Sequence, residues 1–182
     1  MALTSTIFRA ELQISDIDRG YYATHALTIA RHPSETDERM MVRLLAFAQH
    51  ASAELAFAGD ISNAEEPTLW SKDLTGAIAA WIEVGQPDFK VVRKAAGRAR
   101  QVFVHAYGRG AGPWWAQHGT DFARFPNLCV YRISDATTQA LAMLAVRNMQ
   151  LQCLLQDGEI TLSDDTRSVS VQIETLKETA LG

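Results

Sequence analysis

The sequence predicts an α/β fold (α+β by a stricter label) in a single domain over residues 1–182, with one mixed β-sheet flanked by helices. Three observations predict it. The middle of the chain alternates strand, helix, strand, helix, strand, helix, the pattern of βαβ units with parallel pairing. Both ends carry hairpin signals, which add antiparallel strands. A chain of 182 residues, 47% of them hydrophobic, is long and apolar enough to bury one substantial core.

The elements follow in order. "STIFRAELQIS" and "YYATHALTIAR" read as strands joined by the polar turn "DIDRG". The apolar spacing of Met41, Leu44, Leu45 and Ala48 predicts a long helix over 32–58, with Ser34 and Asp37 in a capping-box pattern at its start. "GDISNAEEP" reads as a loop. "TLWSK" and "AIAAWIEVG" are short strands around the turn "DLTG". "PDFKVVRKAAGRA" opens with a proline suited to a first helical turn. "RQVFVHAYG" and "LCVYRIS" are strands, with "PWWAQHGTDFAR" between them as helix or aromatic loop. "DATTQALAMLAVR" is a helix. Asp157-Gly158 between "MQLQCLLQ" and "EITLS" suits a two-residue hairpin turn, and "SVSVQIE" is a closing strand.

No apolar run is long enough for a membrane span, and "MALTSTIFRAELQ" lacks the basic start and apolar stretch of a secretory signal. Cys129 and Cys153 both fall in apolar strands, as buried thiols of a cytoplasmic protein do; their spacing offers no zinc motif. Net charge is −4, which argues against a general nucleic-acid coat. Yet between Val84 and Thr120 the sole acid is Asp88, against Lys90, Arg93, Lys94, Arg98, Arg100 and Arg109. Such a local stripe either contacts phosphate or is a solvated helix face.

Three acids stand in unusual places. Glu38 lies seven residues before Leu45, in the middle of the helix's apolar stripe. It either points at the core or complements the helix dipole. Glu35 is expected to pair with Arg39 at the surface. Glu83 interrupts a strand apolar on both faces, where an isolated carboxylate costs several kcal/mol. A cation of this chain, Arg93 or Lys94, or a metal ion would compensate it. The tight "DLTG" hairpin carries "EEPT" toward the end of the next strand, so Glu66 is expected near Glu83. Two adjacent carboxylates repel unless one is protonated or a divalent cation intervenes. An all-oxygen donor set suits Mg²⁺ or Mn²⁺.

"ARHPSETDERMM", "EEP", "WIEVGQPD", "VRKA" and "LQCLLQDGEITLSD" resemble the YaeQ family of bacterial proteins over nearly the whole chain. That family's fold is similar to the PD-(D/E)XK, or restriction-endonuclease-like, nuclease fold. The resemblance implies Glu38 as the helix glutamate and Glu83 as the acid of the acid-x-Lys strand. The superfamily's Pro-Asp aligns with Pro67-Thr68, so Glu66 is the substitute acid. Gly85 stands where the lysine belongs, and Lys94 on the adjacent helix is the substitute.

The implied activity is Mg²⁺- or Mn²⁺-dependent hydrolysis of nucleic-acid phosphodiesters. Glu38, Glu66, Glu83 and Asp88 would hold the metal. Lys94 or Arg93 would face the scissile phosphate, and Lys90, Arg93, Arg98 and Arg100 would hold the backbone. The alternative is a nuclease-fold binding protein without the chemistry, contacting nucleic acid or the transcription machinery. A third is an interaction module in which Glu38 and Glu83 neutralise Arg93 and Lys94. "GRGAG" is a flexible loop, and Trp114 and Trp115 are packing residues.

Overall fold

The computed structural model describes residues 4–59, 63 and 65–180. Its fold is mixed α/β, and its strands form two mixed sheets rather than the one expected. The chain divides into two compact units, each assembled from two separate stretches of sequence. No described helix is long and apolar enough to cross a membrane.

The first unit joins residues 1–49 to 136–172. Strands β1 (Thr6–Asp16) and β2 (Tyr21–Arg31) form the expected hairpin, paired without a break from Thr6↔Arg31 to Asp16↔Tyr21. β8 (Asn148–Gln156), β9 (Glu159–Ser163) and β10 (Ser168–Val171) complete the sheet β10-β9-β8-β1-β2. β1 and β8 are parallel; the other pairs are antiparallel. Asp157 and Gly158 both take positive φ, 55° and 77°, as the primed turn requires. Asp18, in the other hairpin's turn, accepts both of their N–H groups at 2.8 and 3.0 Å.

Helix α1 runs Asp37–His50, shorter at both ends than the span 32–58. Its start is set by Thr36, whose Oγ1 accepts the Arg39 N–H at 3.2 Å; Ser34 instead bonds His32. Past the helix the chain turns about Ser52, whose hydroxyl accepts the Glu54 and Leu55 N–H groups. Residues Met40 to Ala48 are buried all round the helix, Arg43 included.

Glu35 corrects the surface reading. It precedes the helix, so helical spacing does not govern it, and its side chain is 1% exposed. It accepts from Arg39 and Arg43, both at 2.7 Å, and Arg43 also donates to the Ala30 carbonyl at 3.2 Å. Burial pulls the Arg43 pKa below its usual value, and Glu35 opposes that shift.

The second unit joins residues 50–135 to 173–182. Its sheet runs β11 (Ile173–Lys177), β7 (Leu128–Ile133), β6 (Ala99–Tyr107), β5 (Ile78–Val84), β4 (Leu69–Lys72), β3 (Ala56–Phe57). β5, β6 and β7 are parallel, joined by helices α2 (Phe89–Arg98) and α3 (Ala111–Phe122). Val92 and Ala95 of α2 and Trp114 and Phe122 of α3 pack with Trp81, Val102, Val104 and Val130 into one core. The aromatic stretch is therefore helix, with Trp114 in the core and its Nε1 bonded to the Pro87 carbonyl at 2.9 Å.

Helix α4 covers Asp135–Ala142, ending before the expected Arg147. "SVSVQIE" is not one strand. It breaks at Gln172, whose N–H goes to Thr137 Oγ1 at 2.9 Å, and its halves join different sheets as β10 and β11. The loop expected over 59–67 lies partly outside the described residues.

Removing the carboxylate of Glu35 leaves Arg43 as a buried charge without its counter-ion. Glu35→Ala should destabilise folding by about 3–5 kcal/mol, read as a lower urea midpoint at unchanged slope. A loss below about 1 kcal/mol would mean that the pair is not a buried one.

Candidate functional site

In open α/β sheets, ligands gather outside the carboxyl ends of parallel strands. Here that edge is formed by the ends of β5, β6 and β7. β5 lies inside its sheet, bonded to β4 on one side and β6 on the other. Trp81 and Ile82 are wholly buried, and Glu83 follows them half-buried. Residues i and i+2 of a strand share a face. Accordingly Glu83 lies on the Trp81 side, and its Oε1 accepts the indole Nε1–H at 2.8 Å.

β4 comes alongside as the tight turn demanded, but the residue it delivers is Thr68. The Thr68 N–H donates to the Ile82 carbonyl at 3.0 Å, and its Oγ1 accepts the Val84 N–H at 3.3 Å. Thr68 thus finishes the ladder at the height of Glu83. Glu66 does not take that place: its Oε2 accepts the Gly59 N–H at 3.2 Å.

Gly85 ends the strand with φ +113°, donating its N–H to the His105 carbonyl at 3.0 Å. An L side chain is strained at that φ, which is why a lysine cannot stand there on this backbone. Gln86 reaches across to the Tyr107 carbonyl. Asp88, exposed, sits at the head of α2 with no side-chain cap, its carbonyl accepting from Val91 and Val92.

The cations of α2 divide into two rows. Lys94 is ion-paired with Glu65, and Arg98 donates to the Glu65 carbonyl at 3.4 Å while its guanidinium lies 5.4 Å from the Trp81 ring centre. Arg100 pairs with Asp73 at 2.6 Å. Lys90 and Arg93 are exposed, and among the described residues neither has an ion-pair partner. The two adjacent acids of "EEP" therefore diverge, Glu65 to the basic helix and Glu66 to Gly59, past the end of β3. The lysine expected to reach back into the site is committed to Glu65.

Glu38 stands half-buried in the first turn of α1. Among the described residues no three His, Cys, Asp or Glu side chains gather closely enough to hold one ion.

An unforeseen feature lies on the opposite face of the sheet from α2. His105 is wholly buried on β6, its ring 5.0 Å from Tyr131 and 5.3 Å from His50, whose own ring lies tilted 4.1 Å from Phe103. Period-two alternation in "VFVHAY" places Phe103, His105 and Tyr107 on that face, a signal present in the sequence. Both thiols are buried, and burial pushes the Cys153 pKa up to about 12.

Two outcomes follow. Burial lowers the His105 pKa from 6.5 to about 3. The unfolded chain takes up this proton near pH 6.5 and the folded protein only near 3. The associated stability is whole above pH 6.5 and is lost as pH falls toward 3. Between pH 7 and pH 5 the parent should lose about 2 kcal/mol more than a His105→Phe variant in urea titrations. Equal losses would place the acid sensitivity elsewhere. Second, the hydrogen bond and charge of Lys94 hold the Glu65 carboxyl below its usual pKa. Carbon-13 NMR titration should show it rise in Lys94→Met; no movement would mean that the pair does not persist in solution.

Comparison with known proteins agrees with this architecture. The family model described as "YaeQ protein" matches residues 1–173. An uncharacterized YaeQ protein of Salmonella typhi is 42% identical over 174 residues, spanning 95% of this chain and 96% of its own length. The corresponding protein of Escherichia coli strain K12 is 39% identical over the same coverage. The crystal structure of YaeQ protein from Xanthomonas axonopodis pv. citri superposes with a TM-score of 0.92 at 48% identity, covering 96% of this chain and 99% of that one. The structure from Pseudomonas syringae gives 0.91 at 34% identity, covering 97% and 98%. On sequence and fold alike, this chain belongs to the YaeQ family.

Proposed function

We propose that this protein binds the phosphate backbone of nucleic acid on a nuclease-like scaffold, without reading bases. The observation that carries the reading is the outer row of α2. Lys90 and Arg93 are one turn apart, exposed, and without an ion-pair partner among the described residues. Their helix is anchored behind them by Val92 and Ala95 in the core and by Lys94 on Glu65. A rigid row of cations on an acidic protein contacts phosphate locally while the remaining charge repels polyanions elsewhere. The buried thiols Cys129 and Cys153 suit a cytoplasmic setting, where such partners are found.

Hydrolysis is the second reading, in the manner of the PD-(D/E)XK nucleases. The observation favouring it is Glu83, a half-buried carboxylate at the end of an interior strand. The surrounding geometry favours binding over chemistry. Thr68 replaces one acid, Gly85 excludes the strand lysine, and Lys94 is held by Glu65. A divalent ion, Mg²⁺ or Mn²⁺, would supply relief of phosphate charge if bound there. Calorimetry with Mn²⁺ on the parent and on Glu83→Gln, run beside a cleavage assay on DNA and RNA, separates the readings: no heat in either removes hydrolysis, and Mn²⁺ binding without cleavage favours the binding reading.

For the binding reading, anisotropy of a fluorescein-labelled duplex is measured across a KCl series. The Lys90→Ala/Arg93→Ala variant should reduce the slope of log affinity against log salt by about 2, nearly one per lost phosphate contact. The absence of binding by the parent at low salt, or a variant with unchanged slope, overturns the proposal.

A further inference from the structure

We infer that β2 is an edge for self-pairing, along which a second copy of this chain adds its own β2 antiparallel about a two-fold axis at Ala26. A sheet edge presents unpaired N–H and C=O groups, and proteins normally blunt it by shortness, charge or a bulge. Three of the four sheet edges described here are blunted in these ways. β10 has four residues and β3 has two. β11 carries Glu174 and Lys177 and is bulged between Thr175 and Lys177. β2 has none of these protections. It is 11 residues long, pairs with β1 in unbroken register, and holds no proline and no formal charge before Arg31.

Its inner row is also incompletely covered. On β1 the core-facing residues Phe8, Ala10, Leu12 and Ile14 are all 5% exposed or less. Of their partners on β2, Ala23, His25 and Leu27 are only half-buried, while Ile29, opposite Phe8, is buried. A further strand beside β2 would cover that row, as β1 covers the next one.

The choice of a second copy rests on self-complementarity. About a two-fold at Ala26, the exposed row pairs Thr24 with Thr28, Ala26 with its own copy, and Tyr22 with Ala30. Threonine pairs are favourable cross-strand neighbours. The inner row sets His25 against Leu27 and Ala23 against Ile29, so no imidazole faces its own copy. Arg31 falls opposite Tyr21 rather than opposite another arginine, which avoids like-charge repulsion. The Ala30 carbonyl already accepts from Arg43, so the pairing is centred on Thr24 to Thr28 and weakens toward that end. The product is one continuous sheet of ten strands from two of five.

The register makes the test specific. Across such an axis the two Ala26 Cα atoms lie about 4.5–5.5 Å apart, within disulfide reach, whereas the two Ala30 positions are far apart. Under mild oxidation of the full chain, Ala26→Cys should form a covalent dimer rapidly and Ala30→Cys should not. Cys129 and Cys153 are buried and act as the internal control. Sedimentation equilibrium of the parent should reach twice the 20.1 kDa chain mass at high concentration, and Ala26→Lys, on the exposed face, should abolish that species. Circular dichroism confirms that the lysine variant is folded. A parent that remains monomeric, or cysteine variants that cross-link equally, overturns the inference; so does a dimer that survives Ala26→Lys.

Discussion

A strand hydrogen-bonded along both edges and buried on both faces cannot slide, and β5 is such a strand in the second unit. Pairing with β4 and β6 sets its register, and the wholly buried Trp81 and Ile82 lock it against the core. Everything at its carboxyl end inherits this rigidity. Glu83 is held against the Trp81 indole, Thr68 closes the ladder beside it, and Gly85 turns the chain at a φ that only glycine adopts easily. The head of α2 follows within four residues, so the position of the basic helix is a consequence of the strand.

The same rigidity decides which groups stand at the strand end. Beside Glu83 the backbone needs an acceptor for the Val84 N–H, and the Thr68 hydroxyl supplies it without setting a second negative charge there. Two residues past Glu83 the strand ends at Gly85 in a left-handed turn. The remaining lysine near the site is drawn to Glu65, outside the strand. On the outer row of the helix, Lys90 and Arg93 are exposed and have no ion-pair partner among the described residues.

The first unit solves a different problem with a buried charge. Helix α1 is buried on all sides from Met40 to Ala48, so Arg43 enters the interior on it and must meet a counter-ion there. Glu35, on the segment leading into the helix, meets it together with Arg39. A charged group on the buried part of a helix therefore fixes the approach of the chain to that helix.

The hydrophobic periods of two and 3.6 residues, with the turn chemistry of Asp157-Gly158 and the proline before α2, determined by themselves the class of the fold, the hairpins, the parallel core and the basic helix. They also located Glu83 at the end of an interior strand. These are local properties, readable because each depends on neighbours within a few residues. Only the tertiary structure decided which strands shared a sheet, that "SVSVQIE" breaks at Gln172, and that Glu35, paired with Arg39 as its spacing predicts, is buried and also meets Arg43. It likewise decided that Thr68, not Glu66, stands beside Glu83 and that Lys94 belongs to Glu65. The physical reason is common to all of these: a charged or polar side chain settles where it finds its partner. The partners of Glu35 and Lys94 are chosen by packing between segments, up to 29 residues apart, that no local period connects.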